Sequence, residues 1–396
     1  MFSHLQISNP RERALVGVAD LVLDPLRLWR VSITDAAAPR RVLLLRLERI
    51  GDLLMVLDAI AQARAAWPDA EIDLAIGSWN QPLASLIPGV NRVIVADVPW
   101  LAREGTGLSW PALVREARGW RAHGYDLAVN FEPDVRTNFL AWLSGAKERA
   151  GYWTGGGGAL LTAADAYDPA SHVSVNAARL IERVAGPSRT SSPATRHGRS
   201  RLTVPADALA RADAMLGAAP GPWIGVHASG GRESKQWHLD RFADTARALA
   251  REHRASIVLT GSTADRPKVD GVKSRLSDLR VIDAAGDVDL VTLAALLARL
   301  RLFVSSDTGP MHLAAAVGTP VVALFGPADP RRYGPLSDRA RVVRVDLPCS
   351  PCGQVRLPPE RCRGHVPDCM DGISVAAVVE AARALLAEPA PAPVIS

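Results

Sequence analysis

The chain has 396 residues, 48% of them hydrophobic, and a net charge of +5 from 46 Lys and Arg against 41 Asp and Glu. This length favours two globular domains of ordinary size over one. No apolar run reaches the roughly 18 residues that a membrane span needs, so we expect a soluble protein. Nucleic acid is disfavoured as a partner, because aromatic residues make up only 5% and do not alternate with basic ones.

The N-terminal residues 1–40 form a predicted helical extension. Within it Arg11–Leu23 is amphipathic, and a stretch over 26–30 combines apolar residues with arginines. Two interpretations remain open: the helix packs on the first domain, or it lies on a membrane interface. The N-terminus lacks the order of basic, apolar and small residues that marks a signal peptide, so we expect a cytoplasmic protein.

The first predicted domain, 41–185, opens with a strand at Arg41–Leu47, whose continuous apolar run is typical of a strand covered on both faces. A helix from Leu53 to about Trp67 and a strand at Glu71–Ile76 complete one βαβ unit. Further strands are predicted at Arg92–Ala96 and Asp126–Asn130.

A stretch rich in Gly, Pro and Ser at 186–203 is the predicted linker to a second domain, 204–396. That domain repeats the alternation, with strands predicted at Trp223–His227, Ser256–Thr260, Arg280–Asp283, Leu302–Val304, Val321–Phe325 and Arg341–Val345. The pattern predicts an α/β fold of two doubly wound domains. The carboxyl edges of their sheets are expected to face each other across a ligand-binding cleft.

Asp52 follows Gly51 at the turn between the first strand and its helix. An aspartate at such a position is often a helix cap, because its carboxylate accepts bonds from free backbone N–H groups. The alternative is a general base that removes the proton of an acceptor hydroxyl. The position alone does not separate the two roles.

The loop after the strand Trp223–His227 combines Ser229, Gly230 and Gly231 with Lys235. Its backbone N–H groups can turn toward an anion, and the ammonium group adds a positive charge. The chain has only four lysines, which makes one beside a glycine turn a candidate ligand for phosphate. A solvated surface lysine is the alternative.

A strand-to-helix turn suited to a diphosphate lies at 305–313. Thr308 and Gly309 form the turn, and a helix then begins with its N–H groups and positive dipole end exposed to a ligand. Asp307 is either a cap or an acceptor for sugar hydroxyls. His312, one turn into the helix, either reaches the same ligand or packs in the core.

The four cysteines all fall within one short segment, at Cys349, Cys352, Cys362 and Cys369. Disulfides are disfavoured in a cytoplasmic protein, and a Cys-x-x-Cys pair with two later cysteines can bind zinc or iron through thiolates. Free thiols are the alternative, because the later spacings do not match the common zinc modules.

Together these motifs resemble glycosyltransferase family 9, the heptosyltransferases that build the inner core of lipopolysaccharide from ADP-heptose. The resemblance spans about residues 41–380. It is carried by Arg49-Ile50-Gly51-Asp52, Lys235-Gln236-Trp237, the run from Ser306 to His312, Phe325-Gly326-Pro327, and the cysteine segment ending at Cys369-Met370.

The resemblance implies the GT-B architecture, in which two Rossmann-like domains hold the acceptor and the nucleotide sugar respectively. It also implies an inverting transfer without a metal cofactor, an ADP-heptose donor, and a lipopolysaccharide or related glycan acceptor. A protein with such an acceptor is expected in the cytoplasm, in contact with the inner membrane surface.

By the same resemblance Asp52 is the general base and Lys235 stabilises the leaving diphosphate. Asp307 contacts the donor sugar, and Thr308 with Gly309 offers backbone donors to phosphate. Asp265 falls where the family binds the ribose, and Val288 falls near the base.

Two other functions remain open. A transferase of the same fold could use a different nucleotide sugar, because few side chains read the sugar. The second alternative function is non-catalytic binding of nucleotides or glycans, although a binding protein has no need of a general base at Asp52.

Overall fold

The computed structural model describes residues 2, 4–7, 10–23, 38–101, 107–186, 202–217, 221–286, 288–355 and 358–388. The chain divides into two compact units, Met1–Gly198 and Arg199–Ser396. Each unit is built on a six-stranded sheet whose strands are all parallel. This confirms the predicted α/β fold of two Rossmann-like domains. The GT-B architecture consists of such a pair of domains.

The first unit has strand order β3-β2-β1-β4-β5-β6. Its strands are β1 Arg41–Leu45, β2 Glu71–Ile76, β3 Arg92–Val95, β4 Leu127–Asn130, β5 Glu148–Tyr152 and β6 Ala163–Asp165. Its helices are α1 Pro10–Leu23, α2 Ile50–Leu54, α3 Leu57–Ala66, α4 Gln81–Ala84, α5 Trp110–Gly119, α6 Val135–Leu143 and α7 Val173–Ala185.

The second unit repeats this order as β12-β11-β10-β7-β8-β9. Its strands are β7 Trp223–His227, β8 Ser256–Thr260, β9 Val281–Asp283, β10 Leu302–Ser306, β11 Val321–Leu324 and β12 Ala340–Val343. Its helices are α8 Ala206–Leu216, α9 Leu239–His253, α10 Arg266–Lys273, α11 Leu290–Arg299, α12 Gly309–Ala316, α13 Pro330–Tyr333, α14 Asp368–Asp371 and α15 Val375–Ala387.

The central strands are apolar because helices cover both faces of each sheet. In β1 every residue after Arg41 is buried, and β4, β8, β10 and β11 are buried throughout. In each sheet the chain reverses direction across the sheet between two central strands, β1 and β4 in the first unit and β7 and β10 in the second. Ligands of open α/β sheets bind at the carboxyl ends of such a strand pair.

The structure adds elements that the sequence pattern does not reveal. Strands β5 and β6 are short and carry charged residues, so they lack the continuous apolar run that identifies the other strands. The single helix predicted from Leu53 to Trp67 is two helices, because Val56 between α2 and α3 has φ −107° and ψ 8°, outside the helical region.

The predicted N-terminal helix is present as α1, whereas residues 24–37, with the arginine-flanked apolar stretch that follows it, lie outside the described residues. The same is true of 187–201 within the predicted linker. In the described ranges no helix has both the length and the hydropathy needed to cross a membrane.

Candidate active site

Asp52 lies in α2, immediately beyond the carboxyl end of β1. Its Oδ2 accepts a hydrogen bond from the backbone N–H of Arg49 at 3.2 Å, so the carboxylate caps the first turn of the helix. Its Oδ1 lies 3.6 Å from Nη2 of Arg46, and 29% of its side chain remains exposed. The carboxylate therefore caps the helix and is still open to a second partner.

Arg46 and Glu132 are buried ionisable residues that contact Asp52 or the loop before it. The Arg46 guanidinium donates to the carbonyl oxygens of Asp52 and Phe131 and pairs with Glu48 at 3.0 Å. Burial opposes its charge, but the carboxylates of Glu48, Asp52 and Glu132 raise the pKa of Arg46 above its ordinary value. A permanent cation therefore lies beside the Asp52 carboxylate.

Glu132 follows β4 and accepts hydrogen bonds from the backbone N–H groups of Leu47 and Glu48, the latter at 3.1 Å. These bonds connect the end of β4 to the loop that carries Asp52. Burial, reinforced by the charge of Glu48 and opposed by Arg46, raises the pKa of Glu132 well above its ordinary value. A carboxyl group that keeps its proton near neutral pH thus supports the loop.

In the second unit the structure brings Lys235 and Asp307 together. Nζ of Lys235 donates to the backbone carbonyl of Asp307 at 2.6 Å and to its Oδ2 at 3.1 Å. The two side chains are only 17% and 12% exposed. The lysine is therefore not a solvated surface residue, and the pair joins the loop after β7 to the end of β10.

The loop after β7 is shaped by its two glycines. The Gly230 N–H donates to Oε1 of Gln236, and a Cβ at Gly230 would lie 2.5 Å from the carbonyl carbon of Lys235. Gly231 has φ +66°, and its N–H donates to Oγ of Ser229. Both N–H groups thus have partners within the loop, which differs from the prediction that they point toward an anion.

Helix α12 begins at the carboxyl end of β10. Thr308 is its N-cap, and its Oγ1 bonds to Ser305 Oγ and to the Ser306 carbonyl instead of capping the helix. The first N–H groups of the helix consequently have no cap from this side chain, and such N–H groups at a helix N-terminus suit an anion. His312 is 6% exposed near the start of the helix, where its backbone N–H donates to the Thr308 carbonyl.

Asp265 belongs to a second cluster of polar side chains, which lies beside the loop after β7. It accepts from the N–H and hydroxyl of Ser262 at 3.0 and 2.6 Å, and Lys268 lies 3.8 Å away. Burial opposes ionisation, but hydrogen bonds from Ser229 and Ser262 lower the pKa of Asp265. Lys268 also approaches Ser229 Oγ at 3.5 Å. Val288 is half-buried ahead of α11.

The four cysteines line one cavity together with Ser234 and Pro327. Cys349 and Cys352 are exposed and Cys369 is buried, all as free thiols. Burial and the three neighbouring thiols raise the pKa of Cys369 to about 11. No group of three or more His, Cys, Asp or Glu side chains in the described ranges is arranged to hold a metal ion, so the structure shows clustered thiols and no formed metal centre.

The cysteine segment packs on the loops after β7 and β11. Ser234, the residue before Lys235, donates from its Oγ to the Val355 carbonyl at 3.1 Å. Ser350 Oγ donates to the Gly326 carbonyl at 2.7 Å, and the Gly353 N–H donates to the Pro327 carbonyl at 2.8 Å. These contacts hold the loops after β7 and β11 against the cysteine segment.

Three residues of this region were not predicted: Arg46, Glu132 and Lys268. The signal for Lys268 was available, since it is one of four lysines in the chain, as Lys235 is. Arg46 and Glu132 gave no local signal. Their importance comes from the pairing of β1 with β4, which places residues about 85 positions apart in contact.

The family model described as glycosyltransferase family 9 (heptosyltransferase) matches residues 114–359. Over 313 residues the chain is 27% identical to lipooligosaccharide heptosyltransferase 2 of Haemophilus influenzae, a match that covers 75% of this chain and 86% of that protein.

Two solved structures share the fold over most of their length. The E. coli ADP-heptose lipopolysaccharide heptosyltransferase II superposes with a TM-score of 0.71 at 22% identity, covering 87% of this chain and 98% of the other. A family 9 glycosyltransferase of Veillonella parvula gives 0.72 at 24% identity, covering 88% and 98%. A more distant one is the dodecameric, iron-containing glycosyltransferase TibC of E. coli, with 0.52 at 13% identity, covering 88% and 76%.

Proposed function

The chain belongs to glycosyltransferase family 9, and we propose that it transfers heptose from ADP-heptose, with inversion, to a lipopolysaccharide inner core or a related glycan. The observation that carries the proposal is the buried pair of Lys235 and Asp307 at the N-terminal end of α12. A cation beside a helix N-terminus suits a leaving nucleoside diphosphate. The named activity of the Haemophilus influenzae and E. coli relatives supports the choice of sugar.

In the proposed reaction Asp52 is the general base. Its carboxylate takes the proton of the acceptor hydroxyl as that oxygen forms a bond to the anomeric carbon of the heptose. The bond from the anomeric carbon to the diphosphate oxygen breaks on the opposite side, so the configuration inverts and ADP departs. Arg46, which pairs with the carboxylate and donates to the Asp52 carbonyl, orients the residue for this step.

The leaving group is stabilised by residues of the second unit. Lys235 and the dipole of α12, together with the backbone N–H groups of Thr308 and Gly309, offset the charge that develops on the diphosphate. In this proposal no divalent cation is needed for catalysis. Asp307 accepts from the sugar hydroxyls, and Asp265 accepts from the ribose.

The remaining predicted donor contacts are part of the same proposal. Ser229, Gly230 and Gly231 shape the loop that presents Lys235, and His312 lines the first turns of α12. Val288 lies near the adenine. Since Gly230 and Gly231 have partners inside the loop, their N–H groups are secondary to Lys235 in holding the diphosphate.

We propose that the four cysteines bind a structural zinc or iron ion. Four thiols around one cavity provide the soft ligands that either ion prefers. Binding requires Cys369 to lose its proton and the exposed thiols of Cys349 and Cys352 to draw closer. The iron-containing glycosyltransferase TibC makes iron a candidate beside zinc. The ion would stabilise the cysteine segment and its contacts with the loops after β7 and β11, and it would take no part in the transfer of the sugar.

The proposed acceptor is lipid-linked and is made in the cytoplasm, so we place the enzyme at the cytoplasmic face of the inner membrane. The described part of the chain has no helix able to cross a membrane, and contact with lipid is therefore proposed at the surface.

The test is transfer by the full chain with a heptose-deficient lipopolysaccharide acceptor. ADP release and a product heavier by one heptose are expected with ADP-heptose. Calorimetric titration with ADP-heptose, ADP-glucose and UDP-glucose identifies the donor that binds most tightly. The substitution Lys235→Met should lower kcat/KM for ADP-heptose by roughly 10–100-fold, because the leaving diphosphate loses its cation. Lys273→Met is the matched control, because that lysine pairs with Asp283 near the surface. Tighter binding of another donor, or binding without transfer, would contradict the proposal.

A further inference from the structure

The first unit concentrates its exposed apolar side chains on one region. The described residues include eight large hydrophobic side chains that are exposed, and six of them lie on α1 or at the exposed edges of α5 and α6. On α1 the exposed fractions reach 73% for Leu15 and 74% for Val22. Exposed apolar residues normally occur singly, so a cluster of this kind indicates a surface that binds something.

Helix α1 is held in place by its opposite face. Asp20 Oδ1 accepts from the Gly157 N–H at 2.7 Å, and Val16 packs on Gly156, where Val135 of α6 also lies. The stripe of Leu15, Val18 and Val22, at spacings i, i+3 and i+7, is therefore turned outward. The apolar stripe is a fixed feature of the helix surface.

Aromatic residues lie on α6, whose Val135 is close to Val16 of α1, and at the start of α5. Phe139 of α6 stacks on Trp142 with ring centroids 5.7 Å apart, and Trp100 stacks on Trp110 at 5.2 Å. Arg136 of α6 lies 4.7 Å from the centre of the Trp100 ring and is attracted by the charge of Glu12 on α1. We call the whole the apolar surface: Leu15, Val18, Leu21, Val22, Trp100, Trp110, Phe139 and Trp142.

We propose that the apolar surface docks on a bilayer with anionic headgroups. The inference rests on the proposed function in one respect, namely that the acceptor is linked to a lipid. Aliphatic residues on a helix lying flat, with tryptophans beside them, are the composition of an interfacial binding site. At the start of α1, Arg11 and Arg13 flank Glu12 and give this end of the surface a net positive charge that complements anionic phosphates. With 14 residues, α1 lies on the bilayer and does not cross it.

The test is flotation of the full chain with vesicles of phosphatidylethanolamine and phosphatidylglycerol, with phosphatidylcholine vesicles as reference. Wild-type protein should float with the anionic vesicles. The triple substitution Leu15→Ser, Val18→Ser and Val22→Ser should lower the bound fraction roughly tenfold or more. Val175→Ser with Val342→Ser is the matched control, because these are the two exposed apolar residues outside the surface among those the structure describes, and it should bind like the wild type.

Three results would overturn the proposal. They are wild-type protein that stays unbound, a triple variant that binds equally well, and a lipid-free dimer that the triple substitution abolishes, which would make this an interface between copies of the chain. Circular dichroism melting verifies that the variant is folded. The flotation assay uses no donor, so failed transfer to a lipid-free acceptor oligosaccharide, with vesicle binding intact, counts against the proposed function and not against the docking surface.

Discussion

The geometry of Asp52 is compatible with both roles that the sequence leaves as alternatives. Its Oδ2 caps the first turn of α2, while the rest of the carboxylate stays partly exposed beside Arg46. A cap and a base are compatible here, because the two oxygens of one carboxylate have different partners. The cap holds the carboxylate in a fixed orientation, which the proposed role of general base requires.

Asp52→Asn should separate the two roles. The amide oxygen still accepts from the Arg49 N–H, so we expect a melting temperature close to the wild type, while kcat falls about 10²–10⁴-fold because the base is lost. Asp58→Asn, in α3, is the control and should keep activity. Steady-state kinetics and thermal melting measure both effects, and a variant within a few-fold of wild-type kcat would remove Asp52 from the role of base.

Glu132 makes the stability of the protein depend on pH. Its pKa is raised from 4.5 to about 8, chiefly by burial, so between these values the folded state keeps a proton that the unfolded state has released. The free energy of unfolding therefore falls as pH rises through this window, by at most about 1.4 kcal/mol per pH unit.

Glu132→Gln should abolish this loss. Its amide oxygen still accepts from the N–H groups of Leu47 and Glu48, and no charge is buried at high pH. Urea unfolding at about pH 5.5 and pH 8 should show the stability of the variant rising relative to wild type as pH increases. Glu71→Gln, at an exposed position of β2, should leave the pH dependence unchanged. A parallel pH dependence in wild type and Glu132→Gln would contradict the assignment.

At the scale of elements, strands with a mostly apolar run were predicted and those without one were missed. Strands β2, β7 and β8 have the predicted bounds, because each is a run of mostly apolar residues in a sheet covered on both faces. Strands β5 and β6 carry charged residues and lack such a run, so they are identified by backbone pairing, β5 with β4 and β6 with β5. The turn before α12 was predicted correctly because Thr308, Gly309 and Pro310 are local signals for a helix start.

The cysteine segment yields a prediction at this scale. Protein purified without chelator should contain about one equivalent of zinc or iron, and Cys352→Ser with Cys369→Ser should reduce it below about a tenth of an equivalent. The chain has no other cysteines, so thiol titration counts the ligands directly. Elemental analysis showing less than about a tenth of an equivalent in wild-type protein, with four freely titrating thiols, would establish free thiols instead.

At the scale of the whole molecule, both units use one topology, and each candidate residue follows a central strand. Asp52 follows β1, Lys235 follows β7, and Asp307 comes directly after β10. The repeated strand order therefore explains why three short motifs, separated by up to 255 residues, all follow central strands at the carboxyl edges of their sheets, where open α/β sheets bind ligands.

Local sequence patterns were sufficient for the α/β class, the two domains and the candidate residues at strand ends, because burial of parallel strands and the chemistry of turns both leave local signals. Which residues share a site became visible in the folded chain alone. The bonds of Lys235 to Asp307, of Glu132 to the loop before Asp52, and of Ser234 to the cysteine segment join positions 72 to 121 residues apart. Such contacts depend on strand order and loop path, which local composition does not encode, and so do the raised pKa of Glu132 and the exposed stripe of α1.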